Sequence, residues 1–431
     1  RVAHCKSGME LGESTENPKE LEKFPRNLPK YNCTAMYARV MHARIEENIK
    51  KIADYVETCG INRVEMRDTK MGIICTGVMY AYIKDVFPNA SVLKLGMSYP
   101  LPQNMIKDFA SKVDKVYVIE ELDPVIEEQV KSMGVDCVGK ELFPACYELL
   151  PDRLLDICLE NGILDKDPRT HDVKEVENLP GRNPVLCAGC PHRSTYYVLK
   201  KHDIACAGDI GCYNLGAQPP FEAQHTMGCM GASIGQLHGM SLANLPENRV
   251  CTIGDGTFWH SGLPALANMV HNNGRGVVIL MDNDNTAMTG HQDNPATDYR
   301  VLRNVEATKI DIPAVCRAMG VELVKTVNAF DVNEVEAGLK ECMAYDKVSV
   351  LITKGECVQF NKFSSTPYTV EADKCIACQT CFKCGCPAIM VSDEENPKTH
   401  KKKCRIDPTL CNGCGICSQV CPVKAIVKKE D

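Results

Sequence analysis

Ten of the chain's 26 cysteines fall between Cys375 and Cys421, and their spacing repeats. CIACQTCFKCGCPAI at 375–389 and CNGCGICSQVCPVKAI at 411–426 each set three cysteines two residues apart, then a further cysteine and a proline. Four thiolates around a 4Fe–4S cube come from a tight loop plus one distant residue, and two-cluster ferredoxins use C-x2-C-x2-C-x3-C-P twice, each fourth cysteine serving the other cluster. On that reading one cluster takes Cys375, Cys378, Cys381 and Cys421, and the other Cys411, Cys414, Cys417 and Cys386. The first run departs from the pattern, with four residues rather than three before Cys386, and Cys384 and Cys404 are surplus. Two C-x-x-C pairs could also clasp a zinc ion, but eight cysteines with paired prolines favour two clusters.

A second set of residues carries different chemistry. VCTIGDGTFW at 250–259 puts Asp255 between Gly254 and Gly256 where an apolar run stops. If that run is a strand of a parallel sheet, the carboxylate stands at the edge where open α/β sheets bind ligands, and a helix starting near Phe258 aims its N-terminus there. Such a place suits a phosphate. A carboxylate beside phosphate requires a cation between them, and Mg2+ takes few protein oxygens together with substrate phosphate. After a further strand, GVVILMD, the stretch MDNDNTAMTG supplies Asn283 and Asn285. This pairing of GDG with an asparagine cluster resembles the thiamine diphosphate motif. The motif implies that Gly254 and Gly256 let the backbone approach the diphosphate, with Thr257 and Thr286 beside it. Asp255, the Asn283 side chain and the Asn285 carbonyl would hold Mg2+.

The elements that must position these groups follow from periodicity. Residues 1–34 read as a connector; from 35 to 160 a long helix is followed by short apolar strands (MGIICTG, SVLKLG, KVYVIEE) alternating with amphipathic helices. A charged linker, 161–184, leads to a second alternating block, 185–364, with strands at IACAGDI, RVCTIGD, GVVILMD, VELVKTV and VSVLITK. Alternation of this kind means parallel sheets flanked by helices, so the fold class is α/β: two Rossmann-like domains followed by a small two-cluster ferredoxin-like domain at 365–431.

Composition excludes several classes. The 431 residues carry a net charge of -7, against the basic excess of a nucleic-acid binder, and no uninterrupted apolar run reaches the roughly 18 residues of a membrane span. The basic run THKKKCR at 399–405 reads as a solvated loop rather than a dock for an acidic electron carrier. Clustered C-x-x-C spacing on a long chain whose first residues show no apolar h-region reads as metal binding in a reducing, anaerobic cytoplasm. The chain begins at Arg1, so further sequence upstream is expected.

CAGCPHRSTYY, GDIGCYNLG, GDGTFWHSGLPAL and NTAMTGHQ resemble the diphosphate-binding domain of the alpha subunits of indolepyruvate:ferredoxin oxidoreductases, within the wider 2-oxoacid:ferredoxin oxidoreductases. LKLGMSYPLP and VYVIEELDPVIEEQV resemble their transketolase-C-like middle domain, so the resemblance covers nearly the whole chain. It implies a third 4Fe–4S cluster on Cys187, Cys190, Cys212 and Cys357, the alternative being buried free thiols. It favours His192 and His291, with His260 also near a cofactor motif, for handling protons or the substrate carboxylate, against a structural role for each.

The activity implied is oxidative decarboxylation of an arylpyruvate, of indolepyruvate or phenylpyruvate type, to aryl-acetyl-CoA and CO2. Coenzyme A is the co-substrate, ferredoxin the acceptor, and a beta subunit completes a hetero-oligomer. One departure stands out. The family has a pyrimidine-binding domain before the middle domain, and RVAHCKS resembles only its last strand, so that domain is expected from upstream sequence or another polypeptide. The alternatives are an aliphatic 2-oxoacid substrate, a nonoxidative thiamine lyase, or an electron-transfer subunit with a non-catalytic thiamine fold.

Overall fold

The computed structural model describes residues 10–13, 25–169, 181, 183–243, 249–297, 299–300, 305–360 and 366–429. RVAHCKS lies outside the described residues, as do positions 170–180 and 182 of the expected linker. The chain divides into two compact units, Arg1–Glu177 and Asn178–Asp431.

In the first unit, helix α1 (Ala35–Val56) precedes strands β1 (Arg63–Glu65), β2 (Asp68–Thr76), β3 (Ala90–Leu95) and β4 (Lys115–Ile119). They form one sheet in the order β1-β3-β2-β4, with β2 parallel to both neighbours and β1 antiparallel to β3. Between and after them run α2 (Met79–Val86), α3 (Gln103–Ala110), α4 (Val125–Ser132) and α5 (Pro151–Glu160). The Glu120 carboxylate, just past β4, accepts from the N–H groups of Ile126 and Glu127 and so satisfies the open donors at the start of α4.

The second unit is built on a five-stranded sheet. Its longer helices are α6 (His192–Lys201), α7 (Ser233–Leu242), α8 (Leu263–His271), α9 (Ile312–Ala318) and α10 (Val332–Met343). Strands β5 (Cys206–Ala207), β6 (Val250–Gly254), β7 (Gly276–Asp282), β8 (Leu323–Asn328) and β9 (Val348–Lys354) pair throughout in parallel, in the order β8-β9-β7-β6-β5. All seven β7 residues are buried, as expected where helices cover both faces. Alternate residues feed two cores: Val277, Ile279 and Met281 pack with Tyr196 and Leu339, whereas Val278 and Leu280 pack with Leu237, Leu266 and Cys316.

The cysteine-rich tail folds onto the first of these cores. Cys384 and Ile416 belong to the same buried cluster as Tyr196 and Met281, so the tail shares the sheet's core. It contains two antiparallel pairs, β10 (Tyr368–Val370) with β13 (Ile426–Lys428) and β11 (Ile389–Glu395) with β12 (Lys402–Ile406). The two cysteine loops repeat in conformation as well as sequence: Ala377 (φ 57°) and Gln379 (φ 61°) match Gly413 (φ 69°) and Gly415 (φ 76°). Left-handed residues in such loops turn successive N–H groups toward one point, a concavity that suits an anionic iron–sulfur centre.

Candidate active site

The register of the second sheet builds the site. Gly254 pairs with Met281 and Asp282 with Lys354, so Asp255 and Asp282 stand side by side at the C-terminal ends of β6 and β7. Helical geometry begins at Asp255 itself, earlier than the expected Phe258, and passes through a π-helical stretch, Phe258–Gly262, before α8. Asp255 is buried; its Oδ1 accepts from Gly256 N at 2.9 Å and its Oδ2 from Asn294 Nδ2 at 3.0 Å. Burial and then the Asp282 charge push its carboxyl up to about 7. Such a carboxylate is short of positive charge.

The Asn283 side-chain amide faces Asp255 Oδ1 at 3.2 Å and the main-chain oxygen of Asn285 at 2.7 Å. With its nitrogen turned to them the amide donates to both. With its oxygen turned to them, three acceptors converge on one point, an arrangement that holds only around a cation. The donor set is all oxygen and includes one buried carboxylate, so it fits Mg2+ better than a softer ion.

The cleft above these oxygens, about 450 Å3 including its mouth, is also lined by His192, Cys212, Tyr213, Thr257 and Thr286. The two glycines flanking Asp255 are required sterically as well as for close backbone approach. A Cβ at Gly254 would lie 2.6 Å from the Tyr213 ring, and one at Gly256 would lie 2.2 Å from Thr286 Oγ1. The loop carrying Cys212 is fixed by Asp209, fully buried, whose carboxylate accepts from Ile210 N, Gly231 N and Ser233 N at the start of α7.

Cys190 lies close enough to Cys187 and Cys212, and Cys212 to Cys357, for each to raise the other's thiol, but among the described residues no three Cys, His, Asp or Glu side chains converge tightly enough as they stand to hold a metal ion. Burial pushes the Cys190 thiol up to about 12, with Cys187 and Cys212 adding to the rise; burial pushes Cys212 up to about 11, with Cys357 and Cys187 adding. In the tail, Cys386, Cys411 and Cys417 cluster around Cys414: burial pushes the Cys414 thiol up to about 11, with Cys386 and Cys411 adding, and burial raises Cys417, with Cys414, Cys384, Cys386 and Cys411 adding. The other tail set, Cys375, Cys378, Cys381 and Cys421, lines a single cavity of about 360 Å3 together with the surplus Cys404, whose Sγ is 3.9 Å from that of Cys375.

The three histidines separate. His192 is buried in the cleft wall, edge-on to Tyr213 at 5.9 Å, and burial, then Arg193, lowers its pKa to about 4, so it is neutral at pH 7. His291 is half-buried, stacks on Phe360 and lies 3.3 Å from Asn285 Oδ1. His260 is exposed and bonded to Ser261, away from the cleft lining. Sequence reasoning missed Asn294, Asp209, Arg193 and Asn412. Arg193 alone left a signal, as a charge set among Ser194, Thr195 and Tyr196 on a helix whose first turn is buried.

Comparison with known proteins agrees with this geometry. Residues 209–353 match the thiamine pyrophosphate enzyme C-terminal TPP binding domain, and residues 405–427 the 4Fe-4S binding domain. The chain is 35% identical to indolepyruvate oxidoreductase subunit IorA of Pyrococcus horikoshii, covering 100% of this chain and 72% of that one. The same-named protein of Thermococcus kodakarensis is 35% identical, over 99% and 71% of the two chains. That of Methanothermobacter thermautotrophicus is 33% identical, again over 99% and 71%. Identity of this extent, together with a thiamine-binding and a 4Fe-4S domain in one chain, means that the protein belongs to the IorA family of thiamine diphosphate-dependent oxidoreductases.

Proposed function

We propose that the chain catalyses oxidative decarboxylation of an arylpyruvate to aryl-acetyl-CoA and CO2 and passes the electrons to ferredoxin, as part of a cytoplasmic hetero-oligomer with a beta subunit. A pyrimidine-binding domain from another segment or chain completes the thiamine site. One observation carries the reading: Asp255, Asn283 and Cys212 line a single cleft, which sets one of the four candidate cluster thiols beside the oxygens of a cation-and-diphosphate site. Thiamine diphosphate, if bound, would supply the electron sink that decarboxylation of a 2-oxoacid needs.

The chain's own residues supply binding and orientation. Asp255, the Asn283 side chain and the Asn285 carbonyl hold Mg2+, while Gly256, Thr257 and Thr286 border the diphosphate. Neutral His192 can donate or accept one hydrogen bond at the cleft wall without adding charge, which suits a site where a carboxylate must leave as carbon dioxide. Cys187, Cys190, Cys212 and Cys357 hold one 4Fe–4S cluster beside the cleft, and the tail holds two. Several one-electron centres in series suit a two-electron oxidation. Among the described residues no helix is long and apolar enough to cross a membrane. The names of the relatives support the arylpyruvate substrate.

The test is reduction of ferredoxin or a viologen dye by the reconstituted complex across a panel of 2-oxoacids with coenzyme A. Indolepyruvate and phenylpyruvate are expected to lead. Faster reduction with pyruvate or 2-oxobutyrate would overturn the substrate assignment, and arylacetaldehyde as the main product without dye reduction would overturn the oxidative reading.

A further inference from the structure

Arg193 is only 1% exposed, and its guanidinium reaches from α6 to two separate loops. Nε donates to the Cys187 carbonyl at 2.9 Å, Nη2 to the same carbonyl at 2.7 Å and to that of Leu186, and Nη1 to the Cys384 carbonyl at 2.9 Å. All of these acceptors are neutral, and among the described residues no carboxylate pairs with the side chain. A buried charge with hydrogen bonds but no counter-charge is strongly unfavourable.

Free thiols raised by burial are neutral at pH 7, so the neighbouring cysteines would supply a counter-charge only as thiolates of a bound cluster. Its hydrogen bonds to the Cys187 and Cys384 carbonyls set Arg193 between the Cys187–Cys190 loop and the tail loop that leads to Cys386. The loops also touch directly. Asn412 Nδ2 donates to the Ala188 carbonyl at 2.6 Å, and a Cβ on Gly189 would meet Asn412 Cβ at 2.9 Å. A 4Fe–4S cube on four thiolates is anionic in both working redox states and more so when reduced, and net charge and hydrogen bonding around the cube set its potential.

We propose that Arg193 is a positioning residue, the shared counter-ion of two iron–sulfur clusters: one on Cys187, Cys190, Cys212 and Cys357, the other on Cys386, Cys411, Cys414 and Cys417. It fixes the separation of the two loops and favours the reduced state of both clusters. A single positive charge between them stabilises an added electron on either side, so transfer across the junction is not opposed by the protein's field. This rests on the reading of the Cys187 group as a third cluster.

The test uses the whole chain in its complex, purified without oxygen, as wild type, Arg193→Met and Arg193→Lys. Iron in the wild type checks the three-cluster reading independently of Arg193: about twelve atoms per chain agrees, and about eight removes that reading and with it the shared counter-ion. Redox titration followed by electron paramagnetic resonance then reads Arg193 itself. In Arg193→Met the equilibrium constant for reducing the two flanking clusters should fall about tenfold, about 59 mV for one electron, with the cluster on Cys375, Cys378, Cys381 and Cys421 unmoved. Arg193→Lys keeps the charge and should stay close to wild type. Unchanged potentials in Arg193→Met, or an equal shift in Arg193→Lys, would overturn the proposal. If Arg193→Met loses iron, Arg193→Lys decides: retained iron and potentials support the counter-ion, and loss in both overturns it.

Discussion

The main-chain N–H of Cys357 donates to the carbonyl of Asn283 at 3.3 Å, and the N–H of Gly355 donates to the carbonyl of Asp282 at 3.0 Å. The loop leaving β9 is therefore laced to the loop leaving β7, which ties Cys357, proposed as a cluster ligand, to Asn283, proposed to hold the cation. Gly355 is packed tightly: a Cβ there would lie 2.9 Å from Pro191 Cβ and 3.0 Å from Ala329 Cβ. Gly355→Ala is expected to cost about 1–3 kcal/mol by overpacking and to lower retention of both thiamine diphosphate and iron. Thermal melting and cofactor analysis on one preparation check this; loss of one cofactor with full retention of the other would show that the loops are not coupled.

Asp255 gives a pH prediction. Its carboxyl is raised to about 7 in the fold from 3.8, so the native state holds a proton that the unfolded chain has released. The stability this contributes is present below pH 3.8 and is lost as pH rises through 7, by about 4 kcal/mol in cation-free protein. Adding Mg2+ with thiamine diphosphate should abolish the loss, and Asp255→Asn should abolish both the pH dependence and the response to Mg2+. Denaturant melts across that range are the measurement.

Much of this was legible in the sequence because it depends on local spacing. The two cysteine runs, the strand–GDG step and the asparagine cluster are fixed by neighbours in the chain. β7 and β9 were readable because strands buried on both faces are continuous apolar runs. Partners supplied from a distance were not readable. Asn294 reaches Asp255 across 39 positions and Arg193 reaches Cys384 across 191, and nothing in either local pattern announces the contact. Helix α5, with Leu154, Leu155 and Cys158 buried, escaped notice because one short apolar stripe does not stand out beside a charged connector.

The tail cysteines should differ in consequence. Cys417→Ser is expected to remove about four iron atoms per chain, whereas Cys404→Ser, at the wall of the cavity but outside the repeated spacing, should retain all of them. Iron analysis of the two variants separates ligand from bystander.

Glu336 ties α10 to the end of α6, accepting from Lys201 at 2.6 Å and His202 at 2.8 Å, with Lys340 at 2.6 Å on its own helix. The hydrogen bonds from Lys201 and Lys340 lower its carboxyl to about 2 from 4.5. The stability it contributes is present above pH 4.5 and lost as pH falls toward 2. Because the lysines are about half exposed, screening leaves about 1 kcal/mol of the nominal gain. Glu336→Gln should lose that amount at pH 7 and nothing near pH 2, as read by denaturant melts.

The central claim is that a cation-bridged diphosphate sits at Asp255 and Asn283, within reach of an iron–sulfur chain that begins at Cys212. Anomalous diffraction at the iron edge, from crystals grown without oxygen with Mg2+ and thiamine diphosphate, tests it most directly. The prediction is diphosphate density against Asp255 with three iron peaks, one at Cys187, Cys190, Cys212 and Cys357 and two in the tail. Side chains filling the sheet edge, or zinc held by the tail thiols, would contradict it.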